Sequence, residues 1–400
     1  MADFGGELDT FRAEARAWLE ENFPKSLRRS EEAAMEAAMS GERPSGEADV
    51  WRRRIVDKGW GTPTWPKEYG GGDLTPAEAR LLQQEMARIG AFNPIVGMGP
   101  GMFGSTLLEY GTEDQKRRHL PSITRGELRW CQGYSEPGAG SDLASLQTKC
   151  EDAGDHWVVN GQKIWTSGAQ YADWCFCLVR TDPKAKKHEG ISFVLINMRQ
   201  PGVEVRPIRL IAGSSPFCET FFTNARVERN DMVGPLNGGW TIAKRLLQFE
   251  RSGQGGMRGQ GQFSIAEIAK KYVGLDDEGR LADQDLRSRL AAHMINAKAH
   301  ALTLQRATAE ARGNLNPSAT TSVMKNSGTQ IGQERAELAI EVMGACGLGW
   351  EGEDFTAEEK AAVRQWLSGK ATTIFGGSQE IQSNIISKRI LGLPDTTKST

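Results

Sequence analysis

The chain has 400 residues, of which 49 are basic and 51 are acidic, and its formal net charge is −2 at pH 7. A chain of this length exceeds what one compact core normally contains, so we expect two or three domains. The balanced charge argues against nucleic acid or an anionic membrane surface as a partner, because both attract proteins with a basic excess.

The cysteines and histidines predict no metal site. The six cysteines are scattered without paired spacing, and the five histidines form no cluster. Cys175 and Cys177 lie in an apolar run that favours a buried strand, and we interpret the cysteines as free thiols of a cytoplasmic protein. The acidic N-terminus lacks the apolar core of a signal peptide, and no run is long enough to cross a bilayer.

Helical patterns dominate the first third of the sequence. Phe11, Ala15 and Trp18 are spaced as residues on one face of a helix. Thr75 begins a capping box, Thr-Pro-Ala-Glu, with proline at the first helical position. We therefore predict an N-terminal α-helical domain over residues 1–130.

The pattern then changes to short β-rich segments separated by Gly, Pro and Asn, which indicates an antiparallel barrel or sandwich. We predict a central β-barrel domain over residues 131–236. Its expected strands lie near 157–159, 174–181, 191–198, 203–211 and 219–227.

Helical patterns return after Asn237-Gly-Gly, and we predict a C-terminal α-helical bundle domain over residues 237–400. The fold class is thus an α+β multidomain protein with helices, strands and helices in that order. The expected helices lie near 240–270, 283–312, 318–345, 357–370 and 379–391.

Two segments of the middle region carry the functional signal. Tyr134–Asp142, Tyr-Ser-Glu-Pro-Gly-Ala-Gly-Ser-Asp, offers backbone N–H groups and short donors that suit a phosphate or a flavin edge. Asn160-Gly161 is typical of a β-hairpin turn. On the strand after it, Trp165 and Ser167 would share one face and could hold a planar heterocycle. Either segment alone is more often an ordinary turn or a core tryptophan.

Together these segments resemble the acyl-CoA dehydrogenase family. The resemblance extends upstream to Tyr-Gly-Thr-Glu-Asp-Gln-Lys at 110–116 and downstream to Phe-Glu-Arg at 249–251. Ile-Phe-Gly-Gly-Ser-Gln-Glu-Ile-Gln at 374–382 and Leu-Gly-Leu-Pro at 391–394 are similar to the closing signature of the family. The resemblance implies an α-domain, a central β-barrel and a C-terminal bundle, and the bundle forms the tetramer core in this family.

The resemblance implies FAD-dependent desaturation of an acyl-CoA thioester between its α and β carbons, with electrons passed to an electron-transfer flavoprotein. A carboxylate removes the α-proton while a hydride leaves the β-carbon for the flavin. The thioester carbonyl must be polarised, because charge builds on its oxygen as the proton departs. A homo-tetramer or homo-dimer is expected, and a hetero-oligomer is an alternative.

Carried over position by position, the family's flavin contacts fall in three short segments. Trp165 would pack on the isoalloxazine, and Ser378 would lie at a helix N-terminus suited to an anion or a ribityl hydroxyl, with a plain helix cap as the alternative. Ser141 would also contact the CoA moiety, and Arg251 is a second expected substrate contact. The implied cofactor contacts are Gln132, Tyr134, Ser135, Gly140, Ser141, Trp165, Thr166, Ser167, Ser378 and Glu380.

The catalytic base requires a choice between two positions. Many family members have glutamate before the second glycine of the closing signature, where this chain has Gly376, which cannot accept a proton. A subset has its glutamate before an arginine on the first long C-terminal helix, and Glu250-Arg251 matches that pattern. We therefore predict Glu250 as the base, with Gly376 supplying only a backbone N–H to the thioester oxygen. The alternative for Glu250 is a solvated helix face beside Lys244 and Arg245.

Two departures from the family pattern bear on the assembly and the substrate. No Arg-x-x-Phe-Gly element, which contacts a neighbouring subunit's flavin, is found around 270–276. Five glycines between Gly253 and Gly261 fall in one predicted helix, where each costs about 1 kcal/mol relative to alanine. They either interrupt the helix or widen the acyl site, and the second possibility predicts a branched, cyclic or otherwise bulky acyl group.

Two other functions remain open at this stage. One is an oxidase or monooxygenase on the same fold, although such enzymes lack the glutamate base. The other is a flavin-binding partner subunit of a hetero-oligomeric dehydrogenase, suggested by Gly376 and the missing Arg-x-x-Phe-Gly element. The sequence does not identify the acyl group.

Overall fold

The computed structural model describes residues 4–28, 41–254, 264–311 and 318–394, together with residues 30, 31, 34 and 37. The described residues of Met1–Ile208 and Ser215–Gly261 form one compact unit. Those of Arg209–Ser214 and Gln262–Thr400 form the other. The first unit holds the sheet, and the described part of the second is mainly helical.

One N-terminal helix of the first unit begins where the sequence predicts, at the capping box of Thr75. The Thr75 hydroxyl accepts from the Glu78 N–H, and the Glu78 carboxylate accepts from the Thr75 N–H at 2.7 Å, so the capping box is confirmed. Gly90 ends that helix at φ +71°, a value that glycine adopts without strain. The helices are α1 (Phe4–Asn22), α2 (Gly46–Asp57), α3 (Pro76–Ile89), α4 (Gly104–Tyr110) and α5 (Glu113–Thr124).

The middle of the chain forms one mixed sheet. Its strand order is β6-β7-β3-β2-β4-β5-β8, and β1 pairs with β4 in parallel. The predicted barrel is not confirmed, because the sheet is open and has β6 and β8 at its ends. The strands are β1 (Trp130–Gly133), β2 (Lys149–Asp152), β3 (His156–Ser167), β4 (Trp174–Arg180), β5 (Ile191–Asn197), β6 (Val203–Ile208), β7 (Phe217–Glu228) and β8 (Met232–Val233).

Strand β4 is buried on both faces, which explains its unbroken apolar run. Phe176 and Leu178 pack in a core shared with the helices. Cys175, Cys177 and Val179 alternate with them and pack in a second core. All six cysteines are free and five of them are buried, which confirms the expectation of free thiols.

The predicted hairpin at Asn160-Gly161 is wrong. Strand β3 continues through both residues, and its pairing with β7 shifts register between Val159 and Gly161. A Cβ atom at Gly161 would lie 2.6 Å from the Thr148 hydroxyl oxygen. The chain reverses earlier, around Gly154, between β2 and β3. The Asn-Gly pair therefore marks a β-bulge at a close approach of two segments.

Helix α6 (Gly239–Gln254) belongs to the first unit. Ile242, Ala243 and Leu246 of α6 are buried in the core that also contains Phe176. The second unit has its own core, which includes Ile265, Leu290 and Leu338. Its helices are α7 (Ile265–Tyr272), α8 (Gln284–Ala311), α9 (Ser318–Met343), α10 (Ala357–Gly369) and α11 (Gln379–Ile385). Among the described residues, no helix combines the length and apolarity needed to span a membrane.

His119 on α5 makes the stability of the first unit depend on pH. The side chain is 3% exposed, and its ring meets Trp130 and Trp174 at centroid distances of 5.2 and 5.1 Å. Burial, assisted by the charge of Arg118, lowers the pKa of His119 to about 4. The folded protein therefore holds this imidazole neutral, whereas the unfolded chain protonates it below its ordinary pKa of about 6.5.

We predict that unfolding becomes easier as the pH falls from 7 to 5, because only the unfolded state gains the His119 proton. The depressed pKa corresponds to about 2 kcal/mol over this range. Urea unfolding at both pH values measures it, and His119→Gln, which does not titrate, should reduce the difference. An unchanged pH dependence in that variant contradicts the assignment to His119.

Candidate functional site

The loop after β1 is closed by a short turn. Glu136 and Ala139 exchange two backbone hydrogen bonds of 3.0 Å across Pro137-Gly138. The turn leaves Gly140 and Ser141 exposed, with their backbone groups and one hydroxyl at the surface. Gly140 and Ser141 are thus accessible, and their predicted contact with a ligand stays a prediction.

A buried ion pair joins this loop to β3. The Lys163 Nζ donates to the Glu136 Oε1 at 2.8 Å, and Lys163 is 0% exposed. Burial would raise the pKa of Glu136, but the ammonium and the hydrogen bonds from Thr148 and Gln147 outweigh it and lower that pKa. The Glu136 carboxyl is therefore ionised in the folded protein.

Sequence reasoning missed this pair, although one signal was present. Lys163 lies an even number of residues after Trp157 and Val159, which are buried on β3. A lysine at an inward position of a strand requires a buried partner, because an unpaired ammonium is too costly to remove from water. The acid of the Ser-Glu-Pro sequence in the loop was the available candidate.

Hydrogen bonds to two successive carbonyls fasten the loop to β3. The Lys163 Nζ donates to the Tyr134 carbonyl at 3.1 Å, and the Ile164 N–H donates to the Ser135 carbonyl at 2.9 Å. The Tyr134 ring is buried and meets Phe176 edge-on at 6.2 Å. Tyr134 thus contributes its ring to the core, and its backbone lies in the loop.

Trp165 has a different local geometry from the one expected. Its φ is +61°, and the pairing of β3 with β7 shifts register between Lys163 and Thr166. This bulge reverses the alternation, so Thr166 is fully buried and Trp165 is 53% exposed. The expectation of a regular strand at Trp165 is therefore wrong, although Trp165 and Ser167 still flank the buried Thr166.

The residues around the bulge fit a planar polar heterocycle. The Gln132 Nε2 and the Thr166 Oγ1 are buried and have no hydrogen-bond partner within the described part of the protein. Buried polar groups are nearly always satisfied, and a ligand could supply the missing partners of these two atoms. The exposed indole of Trp165 provides an aromatic surface next to Thr166. These features are compatible with a flavin ring, and the flavin contacts stay a prediction.

In the second unit, residues 374–382, here called the closing segment, are held by polar side chains. Gly376 and Gly377 have φ values of +65° and +91°. The Ser378 hydroxyl caps α11 by accepting from the Ile381 N–H at 3.4 Å. The Gln382 Nε2 approaches the Gly376 carbonyl at 3.5 Å. The cap interaction thus accounts for Ser378 and leaves its predicted role toward a cofactor untested.

Glu380 lies in the first turn of α11 and is exposed. Its own backbone N–H and the Ser378 hydroxyl lower the pKa of its carboxyl, and the charge of Lys325 acts in the same direction. The pKa of Lys325 is itself lowered, because that ammonium is partly buried. Glu380 is therefore ionised at neutral pH and can accept hydrogen bonds.

Glu250 lies on α6, but the side chains of residues 248–254 are outside the described part of the chain, and so is that of Arg251. The glycines from 255 to 261 lie outside the described residues, so the predicted widening of the acyl site is untested.

The chain thus combines N-terminal helices, one sheet and C-terminal helices. Its sheet region has an exposed indole and buried polar atoms without hydrogen-bond partners among the described residues. Three family models match successive segments of the chain. The acyl-CoA dehydrogenase N-terminal domain matches residues 6–127, the middle domain residues 131–225 and the C-terminal domain residues 237–391. The chain belongs to the acyl-CoA dehydrogenase family and is an oxidoreductase of that family.

Similar proteins and structures extend over nearly the whole chain. It is 36% identical over 413 residues to acyl-CoA dehydrogenase IpdE1 of Mycolicibacterium smegmatis, covering 98% of this chain and 99% of the relative. The solved Tcur3481-Tcur3483 steroid ACAD is 30% identical, with a TM-score of 0.77 and 98% of each chain covered. The ChsE4-ChsE5 complex from Mycobacterium tuberculosis is 29% identical, with a TM-score of 0.74, and covers 99% of this chain and 100% of that chain.

We predict that Gly377→Ala destabilises the closing segment more than Gly352→Ala does. Both glycines have φ near +90°, so both variants incur about 1–3 kcal/mol of backbone strain. Only at position 377 would a Cβ also meet a neighbour, the Gln382 side-chain amide, which would have to shift and give up its hydrogen bond to the Gly376 carbonyl, whereas nothing lies within 4 Å at position 352. Thermal unfolding compares the two, and equal melting temperatures contradict the contact with Gln382.

Proposed function

We propose that this chain is an FAD-dependent dehydrogenase that desaturates an acyl-CoA between its α and β carbons. The observation that carries the proposal is the match of all three family domains in order along residues 6–391. The proposed domains are residues 1–130, 131–236 and 237–400. The physiological electron acceptor proposed from the family is an electron-transfer flavoprotein.

The proposed cofactor contacts of the first unit lie on β1, in the loop after it and at the bulge of β3. The Gln132 amide and the Thr166 hydroxyl supply donors, and Trp165 supplies an aromatic face, as described above. Bound FAD would supply the hydride-accepting ring that no side chain can provide. Ser141 and Gly140 are exposed in the same loop and are proposed to contact the cofactor and the CoA moiety.

Glu250 is the proposed base for the α-proton. Its position follows the buried stripe of α6 formed by Ile242, Ala243 and Leu246. Apolar surroundings raise the pKa of a carboxylate toward neutrality and make it a better proton acceptor at neutral pH. Gly376 is proposed to contribute its backbone N–H to the thioester oxygen, which accumulates charge as the proton leaves.

The proposed substrate carries a branched, cyclic or otherwise bulky acyl group. Gly376 has no side chain at the position where many family members have glutamate, so it occupies little space there. The structurally similar Tcur3481-Tcur3483 protein is described as a steroid ACAD, which supports a ring-bearing acyl group for this chain as well.

A hetero-oligomer is the second proposal for the assembly. One similar structure is described as the ChsE4-ChsE5 complex, and another carries the double name Tcur3481-Tcur3483. In such an assembly this chain would supply Glu250 and act together with a partner chain. Turnover of acyl-CoA by the purified chain alone would contradict a requirement for that partner.

We expect Glu250→Gln to lower the rate of flavin reduction by substrate at least a hundredfold while FAD stays bound. Glutamine keeps the size and hydrogen bonding of glutamate but cannot accept the α-proton. General-base catalysis typically contributes about 10²–10⁴-fold to a rate. Stopped-flow bleaching of the flavin measures the rate.

Glu109→Gln is the matched control. Glu109 on α4 forms an ion pair at 2.7 Å with Arg245 of α6, the helix that also carries Glu250. It should leave flavin reduction nearly unchanged. Gly376→Glu in the Glu250→Gln background tests whether the family's other position restores a base. Normal reduction in Glu250→Gln alone would show that another group removes the proton.

We also expect ring-bearing acyl-CoAs to be used at least as well as butyryl- or octanoyl-CoA. Space in an apolar site discriminates by about 1–3 kcal/mol per methylene-sized difference, so the preference should be graded. Values of kcat/KM for a panel of thioesters, measured with an artificial electron acceptor, decide the question. A clear preference for unbranched chains contradicts the proposed acyl group, whereas no turnover with any thioester contradicts the dehydrogenase function.

A further inference from the structure

The ion pair between Lys163 and Glu136 has no part in the chemistry proposed above. Lys163 is 0% exposed and Glu136 is 8% exposed. Apolar residues of similar volume often stabilise a core as well as a buried ion pair does, because apolar side chains carry no charge that must lose its hydration. The feature that distinguishes this ion pair from an apolar pair is its directional hydrogen bonds.

Those hydrogen bonds join three stretches of backbone. The Lys163 Nζ on β3 donates to the Tyr134 carbonyl in the loop at 3.1 Å. The Glu136 Oε1 accepts from the Thr148 N–H at 2.9 Å, and its Oε2 accepts from the Gln147 N–H at 2.7 Å. An apolar pair could make none of these bonds, so the charged pair fixes the loop in a way that packing alone cannot.

The two stretches that meet at the ion pair also carry the unpaired buried donors. Gln132 lies two residues before Tyr134, and Thr166 lies three residues after Lys163. The Gln132 Nε2 and the Thr166 Oγ1 are the buried atoms without partners described above. A change in the spacing between loop and strand would move one donor relative to the other.

We propose that Lys163 and Glu136 are positioning residues for the flavin. They hold the loop backbone against β3 so that Gln132 and Thr166 present their polar atoms with a fixed separation. The inference rests on the proposed binding of FAD, and it assigns the pair no contact with the reacting atoms. It predicts a loss of FAD affinity that persists when the stability of the fold is restored.

The experiment compares FAD binding and stability in four proteins. Lys163→Met leaves the Glu136 carboxylate buried without its cation, so this variant is expected to lose stability. The double variant with Glu136→Gln and Lys163→Met is neutral and keeps an amide oxygen to accept a backbone N–H. It tests the proposal even where the single variant fails to fold.

Arg118→Met is the matched control. Arg118 donates to Asp231, which is 4% exposed, at 2.8 Å and to the Asn230 carbonyl at 2.9 Å. It therefore resembles Lys163 in bonding both a buried carboxylate and a backbone oxygen, but it lies on α5 and outside the candidate flavin segments. Removing it tests the effect of breaking such a pair elsewhere in the same unit.

The wild type and the three variants are stripped of flavin and titrated with FAD, with flavin fluorescence as the signal. Melting temperatures without FAD and the absorption spectrum of the bound flavin are recorded in parallel. We expect the neutral double variant to melt closer to the wild type than Lys163→Met does, yet to bind FAD at least tenfold more weakly and with a shifted spectrum. Arg118→Met should bind FAD with wild-type affinity.

Three results would overturn the inference. Wild-type FAD affinity in the double variant shows that the pair does not position the flavin, while the proposed function stands. An equal loss of affinity in Arg118→Met shows a general effect of instability. A wild-type protein that binds no FAD removes the proposed cofactor and the inference with it.

Discussion

A lysine ammonium removed completely from water organises the candidate site. The Lys163 charge requires an anion and oriented acceptors, and Glu136 and the Tyr134 carbonyl meet that requirement from one loop. The loop that leads to the exposed Gly140 and Ser141 is thereby fastened by a buried interaction. An exposed loop on a rigid base suits the proposed binding of a ligand, because recognition needs donors at fixed positions.

The sheet adds a second constraint, because its central strands are covered on both sides. Phe176 packs in the core that includes α6, and Cys175 and Cys177 pack in the other core. Packing of the sheet therefore fixes Ile242, Ala243 and Leu246 of α6, the helix that carries the proposed base, as well as the proposed flavin segments.

The closing segment shows how a family signature can persist with a changed residue. Gly376 and Gly377 both occupy the left-handed region of φ, which favours glycine at both positions, and a side chain at position 377 would also displace the Gln382 amide. Position 376 is the one at which many family members have glutamate. The absence of a carboxylate there agrees with the proposals that α6 supplies the base and that the acyl group is bulky.

The sequence by itself determined the family, the order of helices and strands, the helix caps and the free thiols, because these follow from local patterns and ordered motifs. It predicted a hairpin at Asn160-Gly161 and a regular strand at Trp165–Ser167, and both are wrong. In each case the deciding factor is nonlocal: Thr148 approaches Gly161, and pairing with β7 creates the bulge that buries Thr166. The partner of Lys163 and the open edges of the sheet were likewise decided only by the tertiary structure, since burial and strand pairing depend on residues distant in sequence.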